Sequence, residues 1–540
     1  MKDRRQQILS LGCLLILLIP NIACMLLATD LTYSWLKELV YLAVTLLCYI
    51  TPMMFFKRRT YFILAGLLGL FWMPIELSSL YLNKMTVSPH FIGIILETNW
   101  IEASEVMKTA WPLMIVIIGI WGAYIGLVSK MDNDWIFPRK WCKICWYVIP
   151  TLFIVGLGTS YLLHPQRHKM TAKEAMIESL DKTMMKFYKI YPYDIYLNAH
   201  QLYQEYLYLK QSEEQLKNFR FGISQKQDSV EEHYIFIVGE AARYDHFHLN
   251  GYERQTSPEL DTVASIYSLR QMYSEANLTR NAVQLLLTRA DVMHRDVFTK
   301  EKSIIEAFNE AGYQTAWLSC QTMMDIEKRM ASVVDFRYEQ VGGLSAQVLY
   351  DEILNEKAKD IFVCSPSSKT FFLYHVMGSH LKYDQRYPKE YERFTPAVQA
   401  SDGYAVLSVK NKDKVVNAYD NTILYAEHVI AEAILLLQEQ KGIRALVYVS
   451  DHGENLFDDE RELSVHGTYE GTLYEAHVPC FVWLSEEFKK AYPEKVAALE
   501  TNIAKQVQSD VIFYSLADMG GLEEIVDTNK VDSYTNYRIN

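Results

Sequence analysis

The stretch Ala445-Leu446-Val447-Tyr448-Val449-Ser450-Asp451-His452-Gly453-Glu454 joins an apolar run to a cluster of polar side chains. The run shows no polar alternation, which is typical of a strand buried on both faces of a parallel sheet. A carboxylate beside an imidazole follows it directly. Such groups are costly to bury unless they bind a metal or take part in catalysis. The stretch therefore predicts a strand that ends in a functional site.

Other short apolar runs alternate with helical stretches from Tyr234 onward, which predicts an α/β domain with a largely parallel sheet covered on both faces. The candidate strands are Tyr234–Val238, Tyr313–Ser319, Phe371–Val376, Ala445–Val449 and Pro479–Leu484. The candidate helices lie at about 302–311, 346–356 and 419–440.

Three of these strands are followed by residues of the types that commonly bind metals. Glu240 follows the first strand, His380 follows another, and Asp451 and His452 follow a third. Ligand sites in such sheets lie at the carboxyl edge, and carboxylate oxygens with imidazole nitrogens suit zinc or manganese. Taken singly, a glutamate after a strand is also typical of a turn, and a single histidine is also typical of a structural residue. The combination of three such strand ends in one domain favours a metal site.

The first part of the chain contains apolar runs that approach or exceed the ~20 residues needed to cross a bilayer. They lie at about 8–28, 35–56, 61–83, 111–129 and 146–163. We therefore predict an N-terminal bundle of five transmembrane helices, because helices satisfy the backbone polar groups in lipid. A removable signal peptide is the alternative interpretation of the first run.

Basic residues predict the orientation of this bundle. They cluster before the first run, between the second and third, and between the fourth and fifth, at Lys2, Arg4, Arg5, Lys57, Arg58, Arg59, Lys130, Arg139, Lys140 and Lys143. Lys and Arg accumulate on the cytoplasmic side, so everything after about residue 164 is expected on the far side. We predict a transmembrane domain at 1–165, amphipathic bridging helices at 166–232 and an exported catalytic domain at 233–540.

The composition excludes several classes of protein. Of the 540 residues, 50% are hydrophobic and 22% are charged, which excludes a disordered or fibrous chain. The formal net charge of −12 argues against binding nucleic acid through bulk charge. Cys320, Cys364 and Cys480 are the cysteines of the predicted exported part, so at most one disulfide is expected among them.

Several motifs resemble those of the membrane-bound phosphoethanolamine transferases, a family of the alkaline phosphatase superfamily. The matching stretches are Val238-Gly239-Glu240-Ala241-Ala242-Arg243, Leu249–Pro258, Asn277-Leu278-Thr279-Arg280, Gly312–Thr315, Gly378-Ser379-His380, Arg386-Tyr387-Pro388, Tyr419–Thr422 and Ser450–Glu454. The predicted layout of five spans before an exported domain is also that of the family.

The resemblance implies a threonine nucleophile at Thr279 and a metal shell of Glu240, Thr279, Asp451 and His452. It implies one tightly held zinc ion, with a second as an alternative, rather than manganese. His380 and His466 match positions that contact the phosphoryl group or a second metal. The remaining matches are Glu454 and Arg243, which would support the site, and Asn99 and Glu102, which would bind the lipid donor.

The residues alone leave other interpretations open for several of these positions. A threonine at position 279 is also typical of a turn or a helix cap. A loop histidine such as His466 is also typical of the protein surface. Arg243 is equally part of a surface ion pair. Asn99 and Glu102 suit a helix start as well as a lipid site.

The implied activity is a two-step transfer in the bacterial inner membrane, with a multi-pass anchor and the catalytic domain in the periplasm. Phosphatidylethanolamine is the donor, and a lipopolysaccharide acceptor, in lipid A or core, or another glycan or lipid, receives the group. A phosphoglycerol transferase resembling lipoteichoic acid synthase is one alternative. A non-catalytic membrane sensor that retains the fold is another.

Overall fold

The computed structural model describes residues 2–27, 35–83, 86–87, 89–97, 111–137, 190–224, 230–340, 350–399, 409–468, 471–522 and 525, with scattered positions between 144 and 161. The chain divides into two compact units, Met1–Tyr208 and Leu209–Asn540. The division falls within the helix Tyr193–Asn218. The domain bounds 1–165, 166–232 and 233–540 stay predictions.

The N-terminal unit is helical. Its helices are α1 (Lys2–Leu17), α2 (Ile19–Leu27), α3 (Trp35–Ile50), α4 (Arg58–Asn83), α5 (Pro89–Glu97), α6 (Trp111–Ser129) and α7 (Tyr193–Asn218), which continues into the second unit. Among the described residues, Arg58–Tyr81 and Trp111–Ser129 are long and apolar enough to cross a membrane. These helices confirm the predicted spans at 61–83 and 111–129.

The other predicted spans differ from expectation. Over 8–28 the chain forms two helices bent by 46°, which make one further span only if the pair is counted together. Pro20 lies in the first turn of the second helix, where its missing N–H breaks no helical hydrogen bond.

The predicted continuous span at 35–56 is wrong in its length. Helix α3 ends at Ile50 and a separate 3-10 turn, Pro52–Met54, follows. Proline has no N–H to continue the helical ladder. The fifth predicted span, 146–163, lies almost entirely outside the described residues. The described part of the chain therefore contains two clear spans, or three with the bent pair, instead of five.

The second unit is an α/β domain. Its strands are β1 (Glu232–Gly239), β2 (Ile266–Ser268), β3 (Gln271–Tyr273), β4 (Gln314–Ser319), β5 (Phe336–Glu339), β6 (Lys369–His375), β7 (Ile443–Ser450), β8 (Asn455–Leu456), β9 (Ser464–Val465), β10 (Cys480–Leu484) and β11 (Gln506–Gln508). Its helices are α8 (Thr279–Leu287), α9 (Val297–Lys300), α10 (Ile304–Glu310), α11 (Asp325–Met330), α12 (Ile353–Cys364), α13 (Lys412–Gln438), α14 (Leu473–Ala476), α15 (Glu486–Ala491), α16 (Pro493–Asn502) and α17 (Val511–Met519).

The main sheet has seven strands in the order β2-β10-β7-β1-β6-β4-β5. The pairs from β7 to β5 are parallel, whereas β10 is antiparallel to both β7 and β2. The predicted largely parallel sheet is confirmed. The strand β5 was missed because it is short and only partly buried at the sheet edge.

Both faces of the sheet are buried, as the unbroken apolar runs predict. In β1, Tyr234, Phe236 and Val238 belong to one hydrophobic cluster. Ile235 and Ile237 belong to the cluster on the opposite face. This alternation follows from the two-residue period of a strand.

The predicted helices are found with adjusted bounds. Helix α10 matches 302–311 and α13 matches 419–440. Residues 346–349 of the prediction at 346–356 lie outside the described residues. The prediction is wrong in both bounds of its described part, because α12 begins at Ile353 and continues to Cys364. Pro366 follows shortly after, and the residue before a proline disfavours helical geometry.

Candidate active site

The parallel pairing of β1 and β7 brings two of the predicted metal ligands together. Gly239 at the end of β1 is in register with Ser450 at the end of β7. The next residues along the chain, Glu240 and Asp451, therefore emerge side by side at the carboxyl edge of the sheet. Both are fully buried, as is the adjacent His452.

Backbone hydrogen bonds fix the orientation of the Asp451 carboxylate. Its Oδ1 accepts from the N–H of Ala241 at 3.1 Å and from the N–H of His452 at 2.7 Å. Ala241 has a φ of 53°, in the left-handed region that non-glycine residues rarely adopt. Such strained residues are found mainly where surrounding structure holds a functional site.

The remaining oxygens of this pair face His452. Asp451 Oδ2 lies 3.4 Å from His452 Nε2, and Glu240 Oε1 lies 3.6 Å from the same nitrogen. Both oxygens are buried, with no hydrogen-bond partner among the described residues. Buried carboxylate oxygens without partners are costly, so this arrangement favours a positive charge at the point where they meet.

Thr279 completes the cluster from a different part of the chain. It is the first residue of α8, preceded by Leu278 in extended conformation. Its Oγ1 donates to Glu240 Oε2 at 3.0 Å and lies 3.3 Å from His452 Nε2. The structure therefore brings together all four residues of the expected metal shell.

The two neighbouring carboxylates change the pKa of His452. Burial alone would lower its pKa, but Asp451 and Glu240 raise the pKa to about 9. The site thus stabilises a cation at the imidazole.

These residues fit a zinc ion. One imidazole nitrogen, two carboxylates and a hydroxyl are ligands that zinc accepts, and two of the carboxylate oxygens are buried without partners. In addition, Glu240, His452 and His466 can place ligand atoms within 4.8 Å of one another.

The two further histidines lie beside this cluster. The ring centroids of His452 and His466 are 4.1 Å apart, and those of His466 and His380 are 6.5 Å apart. Burial lowers the pKa of His466 to about 3 and that of His380 to about 4. Both imidazoles are therefore neutral and can serve as ligands or hydrogen-bonding groups. His466 Nδ1 lies 3.1 Å from Oε2 of the buried Glu454.

The Arg243 side chain is buried, while its carboxylate partner Asp245 is 55% exposed and its partner Asp458 is 15% exposed. Its guanidinium bonds to Asp245 at 2.6 Å and 2.8 Å and to Asp458 at 2.7 Å. It also donates to the backbone oxygen of Glu454 at 3.3 Å. Arg243 thus contacts the loops that carry the cluster. Asn99 and Glu102 lie outside the described residues.

Gln321 was missed in the sequence. Its Nε2 donates to Glu240 Oε2 and to the carbonyl of Val376, both at 2.9 Å. It follows β4, a strand of the same parallel sheet, so the rule that identified the other strand endings applies to it. A neutral amide is a weaker signal than a carboxylate or an imidazole.

A model of the family described as Sulfatase matches residues 232–522. The chain belongs to the sulfatase family. The match covers the whole main sheet and each residue of the cluster.

Relatives of this sulfatase-family chain include phosphoethanolamine transferases, which confirms the resemblance that the motifs indicate. It is 24% identical over 500 residues to phosphoethanolamine transferase EptC of Escherichia coli strain K12, covering 88% of this chain and 82% of that protein.

Two solved structures share the fold. The integral membrane protein lipooligosaccharide phosphoethanolamine transferase A (EptA) of Neisseria meningitidis has a TM-score of 0.66 at 19% identity, covering 95% of this chain and 94% of that one. The C-terminal periplasmic domain of EptC from Escherichia coli, solved in complex with Zn, has a TM-score of 0.52 at 22% identity, covering 59% of this chain and 90% of that one.

Proposed function

We propose that this protein transfers phosphoethanolamine from phosphatidylethanolamine to a lipopolysaccharide acceptor, in lipid A or core, through a covalent intermediate on Thr279. The observation that carries the proposal is the position of Thr279 Oγ1, 3.0 Å from Glu240 Oε2 and 3.3 Å from His452 Nε2. The transferase names of its relatives and the lipooligosaccharide named for the Neisseria protein supply the substrate classes.

In the first step the Thr279 oxygen attacks phosphorus. A bond forms between Oγ1 and phosphorus, and the bond from phosphorus to the diacylglycerol oxygen breaks. The proton lost by the threonine balances the one that diacylglycerol gains. The N-terminus of α8 directs backbone N–H groups toward a phosphate held at Thr279.

In the second step an acceptor oxygen attacks the same phosphorus and the bond to Thr279 breaks. The acceptor loses a proton and the threonine regains one. Positioning and electrostatic stabilisation account for most of the rate in such phosphoryl transfers. In this proposal His380 and His466, which lie beside the cluster, contact the phosphoryl group.

Glu240, Thr279, Asp451 and His452 are the residues that would hold zinc. A bound zinc ion would supply positive charge that lowers the pKa of the threonine hydroxyl and neutralises the phosphoryl oxygens. The protein's own part is to hold the Thr279 oxygen against Glu240 and to keep the cluster buried.

The membrane location is also part of the proposal. We infer a multi-pass anchor in the inner membrane with the catalytic domain in the periplasm. The apolar helices Arg58–Tyr81 and Trp111–Ser129 support membrane insertion, and the basic clusters support the orientation.

The test is to trap the intermediate. Full-length protein incubated with phosphatidylethanolamine vesicles and no acceptor should carry one phosphoethanolamine group on the Thr279 peptide, seen by mass spectrometry. Thr279→Ala should abolish both the modification and the transfer. Thr501→Ala is the matched control, because Thr501 is an exposed threonine bonded to the Ala497 carbonyl.

Full activity of Thr279→Ala would contradict the proposed intermediate. A glycerophosphate adduct formed from phosphatidylglycerol would instead identify a phosphoglycerol transferase. Native protein without any bound metal and without transfer would support the sensor.

A further inference from the structure

Glu475 is a buried acid that the proposed chemistry does not use. Its side chain is 0% exposed, and it lies on the short helix α14. The Thr472 hydroxyl caps this helix by accepting from the Glu475 N–H at 3.0 Å. A buried carboxylate is stable only when hydrogen-bonded or paired, so its partners indicate its role.

The carboxylate binds two segments that carry site residues. Glu475 Oε1 accepts from the Thr468 N–H at 2.9 Å and from Asn277 Nδ2 at 3.2 Å, and Oε2 accepts from the Thr468 hydroxyl. Asn277 precedes Thr279 by two residues, and Thr468 follows His466 by two. One side chain therefore links the segment of the nucleophile to the segment of His466.

Asn277 reinforces this link. Its Nδ2 also donates to the Thr468 carbonyl at 2.7 Å. The nucleophile segment and the His466 segment are thus joined both directly and through Glu475.

The backbone of Glu475 binds a third segment. Its carbonyl accepts from the Gly453 N–H at 2.6 Å, and Gly453 directly follows His452. A Cβ at Gly453 would lie 2.1 Å from the Tyr474 carbonyl oxygen. Helix α14 therefore packs directly on the loop that carries Asp451 and His452.

We propose that Glu475 is a positioning residue of the transfer reaction, holding the segments of Thr279, His466 and Asp451–His452 in one arrangement. The proposal rests on the proposed function. An oxygen that attacks phosphorus must be held in line with the leaving group, and small displacements are costly to the rate. The Glu475 side chain bonds to Asn277 and Thr468, and its carbonyl accepts from Gly453, so it acts through these neighbours of the site residues.

The experiment compares Glu475→Ala with Glu475→Gln in the full-length protein. Alanine removes every side-chain acceptor, so we expect kcat to fall about 100-fold, the scale of a displacement of about 1 Å. KM for phosphatidylethanolamine and the zinc content should stay at the wild-type values. Glutamine should restore most of kcat, because its oxygen accepts from Thr468 and Asn277 while its amide donates to the Thr468 hydroxyl.

Glu494→Ala is the matched control, because Glu494 is an exposed glutamate on a different helix, α16. Thr468→Val is a milder second variant in case Glu475→Ala does not fold. It removes only the hydroxyl bond, and a smaller fall in kcat at unchanged zinc content is expected.

The possible failures are distinguishable. Absence of transfer by the wild-type protein would overturn the proposed function itself. Active wild-type protein with undiminished kcat in both Glu475→Ala and Thr468→Val would overturn only the positioning role. A glutamine variant as inactive as the alanine variant, or a loss of zinc along with kcat, would also overturn it.

Discussion

At the scale of single residues, the two oxygens of each carboxylate in the cluster differ in their hydrogen-bond partners. Asp451 Oδ1 accepts hydrogen bonds from two backbone N–H groups, and Glu240 Oε2 accepts from Thr279 and Gln321. The other oxygen of each residue is buried without a partner within the described structure. One oxygen therefore orients the side chain, and the second remains available to the proposed metal ion.

Gln321→Ala should weaken zinc binding by about 10- to 100-fold, because side chains that hydrogen-bond to a metal ligand, as Gln321 does to Glu240, contribute on that scale. Competition with a zinc chelator measures the affinity without relying on activity. Gln314→Ala is the control, since Gln314 lies at the opposite end of β4 and donates to Ser365 at 3.1 Å. Equal zinc affinity in both variants would contradict a role for Gln321 in orienting Glu240.

At the scale of elements, the long helix α13 covers one face of the sheet and carries a buried acid. Glu427 is 0% exposed and accepts from the N–H groups of Glu259 at 3.3 Å and Leu260 at 3.0 Å. Burial raises its pKa to about 8 from an ordinary value of 4.5, against the lowering effect of these two backbone bonds. Folding therefore favours the protonated form.

The contribution of Glu427 to stability should be complete below about pH 4.5 and lost as the pH rises through about 8. Each unit by which the two pKa values differ corresponds to about 1.4 kcal/mol. Glu427→Gln removes the titrating group, so its Tm should fall less than that of wild type as the pH rises from about 4.5 to about 8. Its amide nitrogen cannot accept one of the two backbone N–H bonds, which lowers Tm at every pH and leaves this difference in slope as the readout. Thermal unfolding of the full-length protein in detergent measures this.

Glu432→Gln, an exposed position on the same helix, serves as the control and should match wild type at both pH values. A Glu427→Gln variant with the same pH dependence of Tm as wild type would show that Glu427 is not protonated in the folded state.

At the scale of the whole molecule, two units of different composition share one chain. The first has helices apolar enough to cross a membrane, and the second has a buried sheet with the active-site cluster at its carboxyl edge. Cys320, Cys364 and Cys480 of the second unit are free thiols. Cys320 and Cys480 are buried, and burial raises the pKa of both, whereas Cys364 is exposed.

Cys364 should therefore report the side of the membrane on which the catalytic domain lies. We expect a membrane-impermeant maleimide to label wild-type protein in cells with a permeabilised outer membrane and an intact inner membrane. Cys364→Ser should remove most of the label. Labelling that requires lysis of the inner membrane would place the domain in the cytoplasm and contradict the periplasmic proposal.

Periodicity and strand endings were enough to predict much of the second unit. Unbroken apolar runs identified the central strands, because a strand covered on both faces needs apolar residues throughout. The boundaries were less predictable. The break near Pro20 and the early end of α3 depend on single prolines within otherwise continuous apolar runs.

By itself, the sequence determined the class of fold, the strand endings that carry Glu240, Asp451 and His452, and the resemblance that singled out Thr279. These are local properties, set by side-chain chemistry and position along a strand. Only the tertiary structure decided that Gln321 donates to Glu240, that the buried Arg243 pairs with Asp245 and Asp458, and that Glu475 binds three loops. Such contacts join residues that are far apart in the chain. Packing of the folded domain selects these partners, and packing produces no periodic pattern in the sequence from which they could be predicted.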